Sequence, residues 1–160
     1  TRILPHTNNR RNLMNLIKGL LQPSQVASAH CDGPCGVYDP ASARIAAEAV
    51  LSMAKKLVAL EGNDLATENT RSRYIVIKEE QAQVAKTELL ILWTDYFKPP
   101  HLEANPEIHN IFWNAAKLCS QNKVEVSVDA AQALVDTCEQ VHDIFWASKS
   151  RDDVSFYTAG

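Results

Sequence analysis

From Pro40 onward, apolar residues recur at helical spacing in four separate blocks. Ala43, Ala47, Val50, Ala54, Leu57 and Leu60 share one face until Gly62-Asn63 ends the run, and Asp39 followed by Pro40 supplies an N-cap and a first-turn proline. A second block, from about Glu68 to Phe97, carries Tyr74, Ile77, Val84, Leu89, Leu92, Trp93 and Tyr96, and Pro99-Pro100 is expected to terminate it. Asn105-Pro106-Glu107 repeats the capping signal ahead of Ile108, Ile111, Phe112, Ala115 and Leu118. Ser127 or Asp129 opens a fourth helix holding Ala131, Leu134, Cys138, Val141 and Phe145. There is no strand-like alternation of comparable length and no internal repeat. Four helices with short connections predict an all-α, antiparallel up-down-up-down four-helix bundle.

Composition changes this picture mainly at the amino terminus. The chain has 160 residues, the length of one domain, and no apolar run long enough to span a membrane. Its formal charge of −3 is unevenly spread, because residues 1–29 hold Arg2, Arg10, Arg11 and Lys18 and no acid. Without those four positive charges the remainder carries about −7, which disfavours nucleic acid and acidic membrane surfaces as partners. The basic segment has a short apolar stretch, Leu13 to Leu21, broken by Asn15 and Lys18, and it ends in Val26-Ala27-Ser28-Ala29. This resembles a signal peptide at the cut site but lacks an adequate apolar region. Residues 1–29 read as a propeptide removed in the cytoplasm, ahead of two alternatives, an export or organelle signal and a plain disordered tail, and residues 30–160 read as the functional domain.

The candidate chemistry lies at that junction. His30-Cys31-Asp32-Gly33-Pro34-Cys35-Gly36-Val37-Tyr38-Asp39-Pro40 places two thiols and an imidazole within six positions. Cleavage between Ala29 and His30 would add a free amine to the His30 ring, the Cys31 amide and the two sulfurs. Soft thiolates with nitrogen donors suit nickel or copper in a tetragonal geometry. Structural zinc fits less well, since no second cysteine or histidine pair accompanies this one. Two other readings stay open on the hook alone. One is a non-catalytic nickel or copper carrier. The other is a helical interaction module whose Cys31 and Cys35 form a redox-sensitive disulfide. Cys119 and Cys138 sit in apolar helical patterns and read as reduced core thiols.

The hook, His-Cys-Asp-x-Pro-Cys-Gly-Val-Tyr-Asp-Pro-Ala, resembles the amino-terminal nickel hook of the nickel superoxide dismutases. Val76-Ile77-Lys78-Glu79, Ala85-Lys86 and Leu92-Trp93-Thr94-Asp95-Tyr96-Phe97-Lys98-Pro99-Pro100-His101 are similar to that family's second helix and its exit. Pro106-Glu107 with His109, and Ile144-Phe145-Trp146, fit its third and fourth helices, while residues around Gln121 to Val128 diverge. The resemblance implies an oxidoreductase that converts superoxide to dioxygen and hydrogen peroxide with one nickel ion per subunit. It further implies a cytoplasmic homohexamer in which a neighbouring subunit partly closes each hook, and a processing peptidase that cuts between Ala29 and His30.

Residue by residue, the resemblance assigns His30, Cys31 and Cys35 to the metal, with the His30 ring as axial ligand. Tyr38 and Tyr96 match tyrosines bordering the substrate pocket, Asp32 matches an acid that orders the hook, and Lys98 matches a lysine that attracts the anion. Gly33-Pro34 occupies a position where the family favours a cis peptide. The chain departs from the better-known branch at two places: Ala46 stands where that branch has glutamate, and Gln81 where it has arginine. That pair holds the axial imidazole, so its absence predicts altered redox potential or pH profile with dismutase activity retained. While Ala29 remains attached, the His30 nitrogen is an amide and a poor donor, so the uncleaved form is expected to be inactive.

Overall fold

The computed structural model describes residues 36–157. By its internal contacts the chain divides into Thr1–Val37, of which Gly36 and Val37 are described, and Tyr38–Gly160. In the first unit Gly36 has φ +68°, in the left-handed region that glycine adopts without penalty. In the second unit, all regular structure among the described residues is helical. The elements are α1 (Ala41–Val58), α2 (Leu65–Ile91), a π-helical segment (Leu92–Tyr96), α3 (Pro99–Ala104), α4 (Ile108–Val124) and α5 (Val128–Ser148). Each of the four long helices has two main neighbours: α1 packs on α2 and α5, and α4 packs on the same two. This is the antiparallel four-helix bundle the periodicity predicts.

The apolar stripes expected for α1 and α5 are the buried ones, apart from Leu60, which lies beyond the end of α1 and is half-buried. In α2 the expectation fails in part. Ile77 and Val84 are 37% and 42% exposed, and Tyr74 is only half-buried. The buried line of this helix is instead Lys78, Ala82, Ala85 and Leu89, continued by Leu92 in the π segment. Their spacing alternates between four and three residues, which keeps them on one seam facing the neighbouring helices. A hydropathy pattern overlooks this line because it holds two small residues and one charge. Ala82 packs with Val50, Ala54 and Ala131, where small side chains bring backbones close.

Lys78 is 1% exposed, yet its charge is satisfied. Its Nζ donates to the main-chain carbonyls of Asn122, of Lys123 at 3.5 Å and of Glu125 at 2.9 Å. These groups belong to the carboxyl end of α4, where carbonyls lack helical amide partners and the helix dipole is negative. Asn122, also buried, continues the link: its Nδ2 donates to the carbonyls of Leu118 at 3.0 Å and Ala130 at 2.9 Å.

Capping explains the helix boundaries. Helix α1 begins at Ala41 with Pro40 at the cap position, one residue later than expected, and Asp39 Oδ1 accepts from the Ala41 amide at 2.8 Å from just outside the helix. Asp64 Oδ1 accepts from Thr67 at 2.7 Å and starts α2 at Leu65, ahead of the expected Glu68. Ser127, not Asp129, caps α5, accepting from Ala130 at 3.1 Å. Pro99 and Pro100 do more than stop a helix. They form the first turn of α3, where a missing amide hydrogen costs nothing.

Of the aromatic residues outside the predicted stripes, Trp113 is exposed, with the Lys117 ammonium 4.4 Å from its ring centroid, whereas Trp146 and Phe156 pack against the core. Cys119 and Cys138 are buried free thiols. No helix among the described residues is long and apolar enough to cross a membrane.

Candidate metal centre

Ala29, His30, Cys31, Asp32 and Cys35, together with the Gly33-Pro34 peptide, lie outside the described residues. Among the described residues no group of three histidine, cysteine or acidic side chains is placed to hold a metal. The two core thiols are poor donors as well: burial pushes both Cys119 and Cys138 up to about 12, so neither supplies a thiolate near neutrality. The remaining thiols are Cys31 and Cys35, with His30 beside them in sequence. Two thiolates and nitrogen donors are a set that nickel accepts.

Tyr38, one of the residues the resemblance singles out, is half-buried against the main core cluster. Its ring centroid lies 5.5 Å from that of Tyr96, with the planes tilted by 55°. Tyr96 ends the π-helical segment. There the Phe97 amide bonds the Leu92 carbonyl at 3.2 Å, five residues back, so the helix is one residue wider at this turn. The Tyr96 ring is boxed in by Phe145 at 4.6 Å, Phe97 at 5.0 Å and His101 at 5.4 Å, the last nearly parallel to it. The Lys149 ammonium lies 5.0 Å from the Tyr96 centroid and 4.9 Å from that of Phe145. The Tyr96 hydroxyl is 2.6 Å from Ser148 Oγ, and Ser148 Oγ donates to the Phe145 carbonyl at 2.6 Å.

The structure thus brings Tyr38 and Tyr96 together. Lys98 is exposed, and its amide donates to His101 Nδ1 at 3.0 Å, fixing the imidazole that stacks on Tyr96. Ser148 and Lys149 were not among the residues the sequence singled out. Ala46 is 1% exposed in the core of α1, and Gln81 is half-buried on α2.

A model of the nickel-containing superoxide dismutases matches residues 25–149. The nickel superoxide dismutase of Streptomyces seoulensis is 43% identical over 134 residues, covering 84% of this chain and 98% of that protein. The chain belongs to the nickel-containing superoxide dismutase family. Another member, from Streptomyces coelicolor, is 42% identical over the same length, with the same coverage. Solved family structures agree in fold. A crystal structure with nickel ligation corresponding to the oxidized state is 45% identical with TM-score 0.68, covering 76% of this chain and 99% of that one. A native nickel superoxide dismutase structure gives TM-score 0.68 at 41% identity, with the same coverage.

Proposed function

We propose that this protein dismutates superoxide at a nickel ion held by His30, Cys31 and Cys35, once the bond between Ala29 and His30 has been cut. The observation that carries the reading is the family match across residues 25–149, which includes the His-Cys-x-x-x-Cys donor set while the described bundle offers no competing ligand cluster. Bound nickel would supply one-electron redox chemistry, by which two superoxide anions and two protons become dioxygen and hydrogen peroxide. The chain's own residues then have separate tasks. Cys31 and Cys35 provide soft anionic donors, and His30 provides its amine and ring. Asp32 orders the hook. Tyr38 follows Cys35 by three residues, so chain connectivity keeps their Cα atoms within roughly 11 Å, and the phenol is available to hydrogen-bond substrate or proton-carrying water. Tyr96 buttresses Tyr38 ring to ring. Lys98, exposed at the mouth of α3, attracts the anion against the net negative charge of the domain.

Residues 1–29 act as a leader that keeps the His30 nitrogen an amide until a peptidase removes it, and residues 30–160 are the working domain. The mature protein is a cytoplasmic homohexamer in which neighbouring subunits shield the hooks. Expression of residues 30–160 with a free His30 amine, beside the intact chain, tests the proposal. The shortened form is expected to bind one nickel per subunit by native mass spectrometry, to give a rhombic electron paramagnetic resonance signal with nitrogen coupling, and to remove superoxide in stopped flow. Equal nickel occupancy and activity in the intact chain would refute latency. Nickel binding without superoxide decay would replace the enzyme by a metal carrier, and no gain in metal affinity on cleavage would favour a redox-sensitive helical module.

A further inference from the structure

We propose that Ser148 is a positioning residue that accepts the hydrogen bond donated by the Tyr96 hydroxyl, leaving Tyr96 able only to accept further hydrogen bonds and Tyr38 as the phenol that, among the described residues, keeps its donor uncommitted. The inference rests on the dismutase reading for its catalytic meaning, but the geometry stands without it. Ser148 Oγ lies 2.6 Å from both the Phe145 carbonyl oxygen and the Tyr96 hydroxyl, distances normal for hydroxyl donors. A serine hydroxyl has one proton to give, and a carbonyl oxygen can only accept. The Phe145 carbonyl needs that proton. In a continuing helix the Lys149 amide would bond it, but here the Lys149 amide turns to the Trp146 carbonyl at 3.0 Å. Ser148 therefore donates to Phe145, and the Tyr96 hydroxyl must donate to Ser148.

The ring cannot readily swing away from this arrangement, because Phe145, Phe97 and His101 enclose it. Tyr38, 5.5 Å away ring to ring, has no hydrogen-bond partner for its hydroxyl among the described residues. The two phenols are thus unequal. Superoxide brings no proton and would be repelled by an oxygen that only accepts, whereas water and hydrogen peroxide carry O–H donors that it can hold. Tyr96 is suited to fix such a donor, and Tyr38 to give the hydrogen bond to the anion.

Raman spectroscopy of the metal-free protein tests the donor direction, since the tyrosine ring doublet differs between donating and accepting phenols. Subtracting the spectrum of Tyr96→Phe isolates Tyr96. It is expected to show a donor signature that Ser148→Ala abolishes and Ser148→Thr, which keeps the hydroxyl, retains. An acceptor signature, or one indifferent to Ser148→Ala, overturns the proposal. In nickel-loaded, cleaved protein, Tyr38→Phe is expected to slow the proton-dependent step roughly tenfold or more. Adding Ser148→Ala to it should restore part of that rate by releasing the Tyr96 proton, and adding Ser148→Thr should not. Absence of recovery overturns the catalytic half. If the dismutase reading itself fails, no variant will show nickel-dependent decay, while the Raman result stands.

Discussion

Replacing Lys78 with methionine removes a buried ammonium and leaves its aliphatic stem largely in place. In the native protein that ammonium serves the carbonyls of Asn122, Lys123 and Glu125. Asn122 is buried, so its carbonyl would lose its partner with no water to replace it, at about 1–3 kcal/mol. Glu125 is exposed and water can take over there. Loss of a cation at the negative end of α4 adds about 0.5–1 kcal/mol. Against these stands relief of desolvation, which already pushes the Lys78 amine below the usual lysine value. The expected net loss is about 2–3 kcal/mol, measured as a lower urea midpoint with an unchanged slope at fixed protein concentration. The pH dependence carries a sign. Because the folded amine has the lower pKa, the unfolded chain binds more protons just below the ordinary lysine range, and this group's contribution rises with pH there. The methionine variant lacks that rise, so the gap between the two proteins should widen at alkaline pH. A loss below about 0.5 kcal/mol would mean that desolvation cancels the hydrogen bonds, and would refute the reasoning.

Cys119 and Cys138, pushed up to about 12 from 9.0, should resist thiol reagents in the folded protein near pH 8 and react on unfolding. A background of Cys31→Ser and Cys35→Ser isolates them, and rapid native labelling would contradict their burial. Since their folded pKa values are raised, their contribution to stability is intact below about pH 9 and falls as pH climbs toward 12, visible as a declining urea midpoint. Ala46→Glu would insert a carboxylate at a 1%-exposed core position and should cost about 3 kcal/mol alone. Combined with Gln81→Arg it should recover about 1 kcal/mol or more in a double-mutant cycle, and zero coupling would show that the two positions do not form a pair in this chain.

The bundle was legible where large or small apolar residues kept one consistent face, as in α1 and α5. It was less legible in α2, because Lys78, Ala82 and Ala85 hold the seam while bulkier Ile77 and Val84 face outward. Periodicity weighs side chains by hydropathy, whereas close helix approach selects small ones and a carboxyl terminus recruits a lysine. The widened turn at Leu92–Tyr96 leaves no local mark, since its residues contain neither glycine nor proline and suit an ordinary helix. At the site, the resemblance singled out both tyrosines, and their rings do meet. It missed Ser148, because a serine near a helix end ordinarily reads as solvated. The available signal was its position three residues after a carbonyl in the last turn, where serine commonly bonds backward.

The π-helical turn makes the segment a matter of counting as much as of chemistry. Upstream, Ala85, Leu89 and Leu92 hold one register against the bundle, while Tyr96 and Phe97 reach their places only because one extra residue is absorbed between. Losing a single residue there would rotate everything downstream by about 100° relative to the core. Thr94, exposed and bonded back to the Leu90 carbonyl at 2.8 Å, should be easier to substitute than to delete. Drift in this stretch is therefore freer in letters than in length.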